Sequence, residues 1–185
     1  MKLRAGIAFL LMIVLVVLSV GFGAYRGWSR ERAKVEESYA GLESMLRTRV
    51  ESAYNVLAVA KRHVKTGDSE GQRLYQQVEQ TKNALEGDAA LSAKADANAQ
   101  LTAYVNDLLA HLAALDSVKQ DSRDNDYVKN YLPQMMEQSE EKTASANYNS
   151  AAREFNKKLD GTFSGFLAKL LGIKPAEEFI PVKEG

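Results

Sequence analysis

The chain has 185 residues, and its 24 basic and 24 acidic side chains give no net charge. This balance argues against nucleic acid as the main ligand, because phosphate binding requires a sustained basic face. Cysteine is absent, which excludes disulfides, thiol catalysis and thiolate metal sites.

An uncharged, mostly apolar run covers residues 5–25, after a short tail of residues 1–4. A helix of this length spans the ~30 Å hydrocarbon layer at about 1.5 Å per residue. Tyr25 and Trp28 stand where aromatic side chains meet a membrane interface. We therefore predict one transmembrane anchor that contacts the lipid bilayer through residues 5–25. A cleaved signal peptide is the alternative, but its apolar region would be only about 7–15 residues long.

Basic residues flank this anchor on both sides. Two of them precede it, and a larger group follows it: Arg26, Arg30, Arg32 and Lys34. The side with more Lys and Arg usually stays in the cytoplasm. The charge pattern therefore favours a single-pass protein of the cytoplasmic (inner) membrane, with its remaining domain on the cytoplasmic side.

Amphipathic helices are predicted across residues 26–160, where apolar residues recur at steps of three or four. The first helix shows no break between Ser29 and Lys65. Because the helical period resumes soon after the anchor, we expect anchor and first helix to form one nearly continuous rod, with Gly27 as its point of flexure.

Two shorter helices are predicted next in this bundle. The second begins at a turn capped by Asp68 or Ser69 and ends near Gly87. The third starts at Leu91 and is either separate from the second or joined to it without a break. The aspartate-rich residues 116–126 have no periodicity and are predicted to form a solvated loop and a helix cap.

A fourth helix is predicted from about Tyr127 to Asp160. Pro133 lacks an amide proton, so it must either lie in the first turn or kink the helix, and we expect the first turn. The predicted fold is all-α, with one N-terminal transmembrane helix before a long antiparallel bundle of about four helices.

The last predicted region, residues 161–185, holds an amphipathic stretch from Phe163 to Ile173 and a tail. An apolar face of this kind either closes a bundle or lies on a membrane. Only Lys169 and Lys174 flank it, which is little for binding anionic lipid. We therefore expect this face to pack on the bundle.

Two C-terminal segments carry a family resemblance. Residues Asn147 to Leu159 read NYNSAAREFNKKL, and residues Gly165 to Phe179 read GFLAKLLGIKPAEEF. They resemble the C-terminal signature of the LemA family. Three pieces carry most of the likeness: Tyr148-Asn149, Arg153-Glu154-Phe155-Asn156 and Gly172-Ile173-Lys174-Pro175. The chain departs from the family pattern at Pro133 and at Ala146-Asn147, which marks it as a divergent member.

This resemblance implies a bacterial, membrane-tethered helical bundle. The biochemical activity of the family is not established, and the resemblance supplies no catalytic residues.

No catalytic, cofactor-binding or metal site is predicted. His63 and His111 fall on different predicted helices with no partner at ligand spacing, so both are expected to be exposed. Residues 161–165 lack the spacing of a nucleophile elbow and follow no predicted strand. No glycine is followed by Lys-Ser or Lys-Thr at the spacing of a phosphate-binding loop.

The clustered carboxylates also fail as sites. Asp121, Asp124 and Asp126 do not match the pattern of a calcium-binding loop. Such a loop would need a ligand at the position of Val128 and a glycine for the turn. Adjacent carboxylates on a helix point about 100° apart and are expected to be solvated. Three pairs have this form: Glu36-Glu37, Glu140-Glu141 and Glu177-Glu178.

The sequence thus favours a non-enzymatic scaffold or adaptor at the bacterial cytoplasmic membrane. It would bind a protein partner or self-associate through the bundle or the anchor, with no nucleic acid, small-molecule substrate or cofactor. One alternative is a membrane-tethered sensory bundle that holds a ligand between helices. Another is membrane remodelling through the stretch from Phe163 to Ile173.

Overall fold

A computed structural model describes the backbone of residues 2–181, and the side chains of these residues except 2–10, 13, 14 and 16–18. Within the described residues the chain is helical and has no strand, which confirms the all-α class. A π-helical turn, Tyr127–Tyr131, interrupts the α-helices. The α-helices are α1 (Lys2–His63), α2 (Ser69–Glu86), α3 (Leu91–Ala114), α4 (Asp116–Gln120), α5 (Ser122–Asp126), α6 (Leu132–Ala144), α7 (Tyr148–Gly161) and α8 (Phe163–Leu170).

Helix α1 is unbroken, as the resumed periodicity predicted, and Gly27 lies inside it without an interruption. The predicted anchor falls largely on residues whose side chains are outside the described set, so it stays a prediction. In the part of the chain that the structure describes, no helix is long and apolar enough to cross a membrane.

The chain divides into two compact units. Unit 1 comprises Met1–Tyr39 and Tyr148–Glu177, and unit 2 comprises Ala40–Asn147 and Glu178–Gly185. The second half of α1 thus belongs to unit 2, together with α2 to α6, while α7 and α8 belong to unit 1.

Unit 2 is built on the apolar stripes of its helices. A short connection, residues 87–90, separates α2 from α3, so the second and third predicted helices are distinct. Of the two predicted caps, Asp68 and Ser69, it is Asp68 that caps α2, because its carboxylate accepts a hydrogen bond from the Gly71 amide at 2.9 Å. The most deeply buried apolar side chains come from every helix of the unit except α5: Ala53, Val56, Val78, Leu101, Val105, Leu108, Leu112, Val118, Leu132 and Met136.

The loop predicted at residues 116–126 is wrong, because this segment forms α4 and α5, whereas the helix cap predicted there is confirmed. Asp121 separates the two helices and caps the second, since its carboxylate accepts hydrogen bonds from the amides of Arg123 and Asp124 at 3.1 and 3.0 Å. Val118 is fully buried and anchors the first. One aspartate of this stretch, Asp121, thus acts as a helix cap.

The predicted fourth helix is also wrong as a single element. Pro133 is the second residue of α6, but the wide π-helical turn precedes it, with the Leu132 amide bonded to the Tyr127 carbonyl. A wider turn accommodates the proline ring, which would crowd the carbonyl four residues earlier in an α-helix. The helix then stops at Ser145, whose hydroxyl donates to the Lys142 carbonyl at 2.7 Å and competes with helical bonding.

Unit 1 packs α7 against the first part of α1 through aromatic side chains. The rings of Trp28 and Phe155 meet edge to face with centroids 5.8 Å apart, and those of Tyr39 and Tyr148 do so at 5.5 Å. Such pairs stabilise a contact beyond the area that they bury. Trp28 is therefore a core residue of this unit and not a fully exposed interfacial aromatic.

Candidate functional site

Ion pairs gather where α1 ends in unit 2. Both carboxylate oxygens of Asp124, on α5, accept hydrogen bonds from the Arg62 guanidinium, at 2.9 Å from Nε and 2.7 Å from Nη2. The Nε2 atom of His63 lies 2.8 Å from the same carboxylate. The Asp124 side chain is 4% exposed, that of His63 9% and that of Arg62 53%. This triad joins the end of α1 to α5.

The triad changes the titration of Asp124. Hydrogen bonds from Arg62 and then from His63 hold the pKa of the Asp124 carboxyl below its usual range, against the opposing effect of burial. The same pairing raises the pKa of Arg62. The carboxylate of Asp124 is therefore charged when the protein is folded at neutral pH.

A second pair lies at the same end of unit 2. The Nε2 atom of His111, on α3, lies 2.7 Å from Oδ2 of Asp68, the residue that caps α2. The hydrogen bond from His111, followed by that from the Gly71 amide, lowers the pKa of Asp68. One carboxylate thus joins the start of α2 to α3.

The two histidines were expected to be exposed, and this expectation is wrong. Each is part-buried and bonded to an aspartate from another helix or turn. Sequence spacing does not show these pairs because both partners are brought together by tertiary packing. Asp68 was identified only as a helix cap, and Asp124 only as part of an acidic run.

The triad resembles a cation site, because His63, Asp121 and Asp124 each place one potential ligand atom within 4.8 Å of the others. The donor set fits a metal poorly. Arg62 occupies both oxygens of Asp124, and one oxygen of Asp121 already accepts two backbone amides. A metal would have to displace the guanidinium, so the arrangement is that of a structural ion pair.

The least expected polar residue is Arg49, which is fully buried on α1. Its Nη2 atom donates to the Asn98 carbonyl at 3.2 Å and to the Thr102 hydroxyl at 2.8 Å. The Thr102 hydroxyl donates in turn to the Glu140 carboxylate at 2.8 Å. Among the described residues, Nε and Nη1 of Arg49 have no hydrogen-bond partner. Burial lowers the pKa of this guanidinium, and the charge of Glu140 opposes that effect.

The sequence did hold a signal for this residue. Arg49 follows Leu46 by three positions and precedes Ala53 by four, so it occupies the buried stripe of α1. A charged residue on such a stripe indicates either a buried polar contact or a binding group.

Two shallow surface grooves of unit 2 run beside α1. They share three lining residues, Val50, Glu51 and Glu86. Lysine and carboxylate side chains line both grooves, and the buried titratable groups described above do not line either one. The arrangement lacks the apolar walls with a few converging polar groups that hold small ligands.

The three signature pieces meet in unit 1. After α8 the chain turns at Gly172, whose φ of 91° lies in the left-handed region that favours glycine. The amides of Gly172 and Ile173 donate back to the carbonyls of Lys169 and Ala168, each at 3.0 Å. This Schellman motif ends α8 and directs the next residues alongside α7.

Side chains of the signature hold this returning segment. Asn156 bonds the backbone of Ala176 twice, accepting from its amide at 2.8 Å and donating to its carbonyl at 2.9 Å. The Tyr148 hydroxyl donates to the Glu177 carbonyl at 2.6 Å. Arg32 on α1 donates to the Lys174 carbonyl at 3.0 Å. Two signature residues, Tyr148 and Asn156, therefore form a structural clasp together with Arg32, and the three side chains hold residues 174–177.

Two substitutions of Asp68 separate its roles as cap and ion-pair partner. Asn caps a helix as well as Asp does but carries no charge. We expect Asp68→Ala to lower the free energy of unfolding by about 1 kcal/mol at neutral pH, and Asp68→Asn to lower it by less. Urea unfolding followed by circular dichroism measures both. Equal losses of unfolding free energy in the two variants would show that the charged contact with His111, and not the helix cap, is the source of the stabilisation by Asp68.

A comparison with known proteins identifies the family of the chain. No curated protein gives a significant match to the chain. The family model described as LemA family matches residues 38–184, which include every signature residue. Because this match covers most of the sequence, the chain belongs to the LemA family.

Proposed function

We propose that the chain is a non-enzymatic scaffold or adaptor at the bacterial cytoplasmic membrane, tethered through residues 5–25. The observation that carries this proposal is the continuity of α1, which passes without a break from the uncharged run into unit 2. Along its described early part, Leu11, Leu15 and Phe22 are exposed. Exposed apolar side chains on a helix need an apolar environment, which a bilayer supplies.

The polar groups of unit 2 support a structural role. The carboxylates that contact His63 and His111 also bind a guanidinium in one case and a helix amide in the other. A general base needs a nitrogen within reach of a substrate proton, whereas each Nε2 atom here faces a carboxylate. These ion pairs and hydrogen bonds connect the helices of unit 2. We infer that the outer surfaces of the helices make the contacts with a protein partner.

In-membrane crosslinking tests the scaffold role. A photo-crosslinking residue is placed in the full-length protein at Tyr54 or at Tyr131, both of which are exposed. The expected result is one reproducible adduct, either with a particular protein or with a second copy of this chain. The buried Leu108 is the matched control position and should give no such adduct. Absence of any reproducible adduct at both exposed positions, in cells that contain the folded protein, would count against the scaffold.

A further inference from the structure

The short helix α8 presents an apolar face to the outside of unit 1. Phe163, Phe166 and Leu170 are spaced by three and four residues, so they lie on one side of the helix. They are 77%, 55% and 69% exposed. We had expected this stretch to pack on the bundle, and for these three side chains that expectation is wrong. We call them the α8 apolar face.

The opposite side of α8 is fixed to the unit. Ala168 is fully buried, and Gly165 lies so close to α7 that an added Cβ would stand 2.2 Å from the Leu159 carbonyl oxygen. Thr162 caps the helix by accepting from the Gly165 amide at 3.0 Å. With the Schellman motif at its other end, α8 is held in one orientation, and the exposure of its apolar face is built into the fold.

The position of α8 indicates what covers this face. A Cβ added to Gly21 would lie 4.0 Å from the Leu171 side chain, which places the end of α8 beside the last turns of the uncharged run of α1. Close by on α1, Val20 and Phe22 are also exposed. The Arg26 guanidinium lies 5.7 Å from the centre of the Phe22 ring. Aromatic and apolar side chains beside a cationic group are typical of the boundary between lipid tails and headgroups.

We propose that α8 is an interfacial helix whose apolar face, Phe163, Phe166 and Leu170, inserts into the same bilayer that residues 5–25 cross. The proposal rests on the membrane tether proposed above. A helix of this kind lies in the plane of the membrane with its apolar side about 5–10 Å below the headgroups. It fixes how unit 1, which contains the first part of α1, is rotated relative to the bilayer, because a single tether alone would leave that rotation free.

The test uses full-length protein, which has no native cysteine, so single-cysteine labels are unambiguous. Phe166→Cys, Ser164→Cys and Leu15→Cys each carry an environment-sensitive fluorophore. The proteins are reconstituted into phosphatidylcholine vesicles that contain lipids with a nitroxide either near the headgroup or deep in the acyl chain. Ser164 is the matched control, because it is exposed and lies about 200° around α8 from Phe166.

We expect the shallow nitroxide to reduce the emission of the label at position 166 by about two-fold, because the apolar side of an interfacial helix lies just below the headgroups. The emission of the label at position 164 should change little. The deep nitroxide should quench position 15. Adding Phe166→Asp and Leu170→Asp should abolish quenching of a label at Phe163→Cys while the label at position 15 stays quenched.

The two proposals fail in different ways. Quenching at position 15 without quenching at position 166 would overturn the interfacial helix and leave the tether standing. Quenching at 166 without quenching at 15 would overturn the tether instead. Emission at 166 that resists both nitroxides and shifts only with protein concentration would show that a second copy covers the face, and would also overturn the interfacial helix.

Discussion

Replacing Asp124 with Asn is expected to lower the free energy of unfolding of the bundle by about 1.5–3 kcal/mol at neutral pH, the usual range for a hydrogen bond to a charged group. Asn keeps the shape of the side chain but removes the charge that Arg62 and His63 share. Because the Arg62 side chain is half exposed, water compensates part of this loss, and we expect the lower half of the range. Chemical unfolding followed by circular dichroism gives the value.

The same variant predicts a pH dependence. Since the pKa of Asp124 is lower in the folded than in the unfolded protein, its contribution is fully present above the unfolded pKa and is lost as the pH falls through the folded pKa. Wild type and Asp124→Asn should therefore converge in stability below the ordinary range of aspartate, about pH 4.

Asp126→Asn is the matched control for this prediction, because Asp126 is exposed on the same short helix α5. Its effect at neutral pH should stay within about 0.5 kcal/mol. A difference between wild type and Asp124→Asn that persists unchanged at acid pH would show that the ion pair is not its source.

The second large effect is expected at Arg49, where Met should stabilise the protein by about 1–3 kcal/mol. Replacing a buried charged group with an apolar one of similar volume is often stabilising, because the charge no longer has to leave water. The substitution leaves no new group unpaired: Thr102 still donates to Glu140, and the Asn98 carbonyl lies within helix α3. Arg49→Ala should destabilise instead, because it opens a cavity.

Thermal unfolding of Arg49→Met, Arg49→Ala and the exposed control Arg47→Met measures these differences. Arg47 lies two residues away on α1, and its replacement should change stability by less than about 0.5 kcal/mol. Loss of stability in Arg49→Met equal to that in Arg49→Ala would contradict the prediction, and would show that the contact of the guanidinium with Thr102 outweighs the cost of burying it.

Much of this fold follows from helical periodicity. The steps of three and four predict α1, α2 and α3 closely, and one of the two predicted capping residues, Asp68, caps α2. The predictions fail where the apolar period is missing or where side-chain hydrogen bonds interrupt it. Asp121 starts a helix inside an aspartate-rich stretch, and Ser145 ends one inside an otherwise helical pattern.

The polar sites could be predicted only in part. Arg49 was visible as a charge on a buried stripe, but its partner Thr102 lies on another helix. His63 and Asp124 are 61 residues apart, and no local rule pairs them. The signature pieces were recognised as a likeness without a physical reason. The structure supplies one, because Tyr148 and Asn156 bind the backbone that follows the glycine turn.

Extraction of the membrane fraction with alkaline carbonate tests the central claim, that residues 5–25 tether a folded helical protein to the bilayer. Full-length protein should stay in the pellet, and a variant with Leu11, Leu15 and Phe22 each replaced by Asp should move to the supernatant, since a charge near the helix centre, as at Leu15, costs about 2.5–3.5 kcal/mol. A control with Asp at the exposed Tyr54 and Tyr131 should stay in the pellet. If full-length protein appears in the supernatant, and circular dichroism shows that it is folded, the claim that residues 5–25 tether it to the bilayer is contradicted.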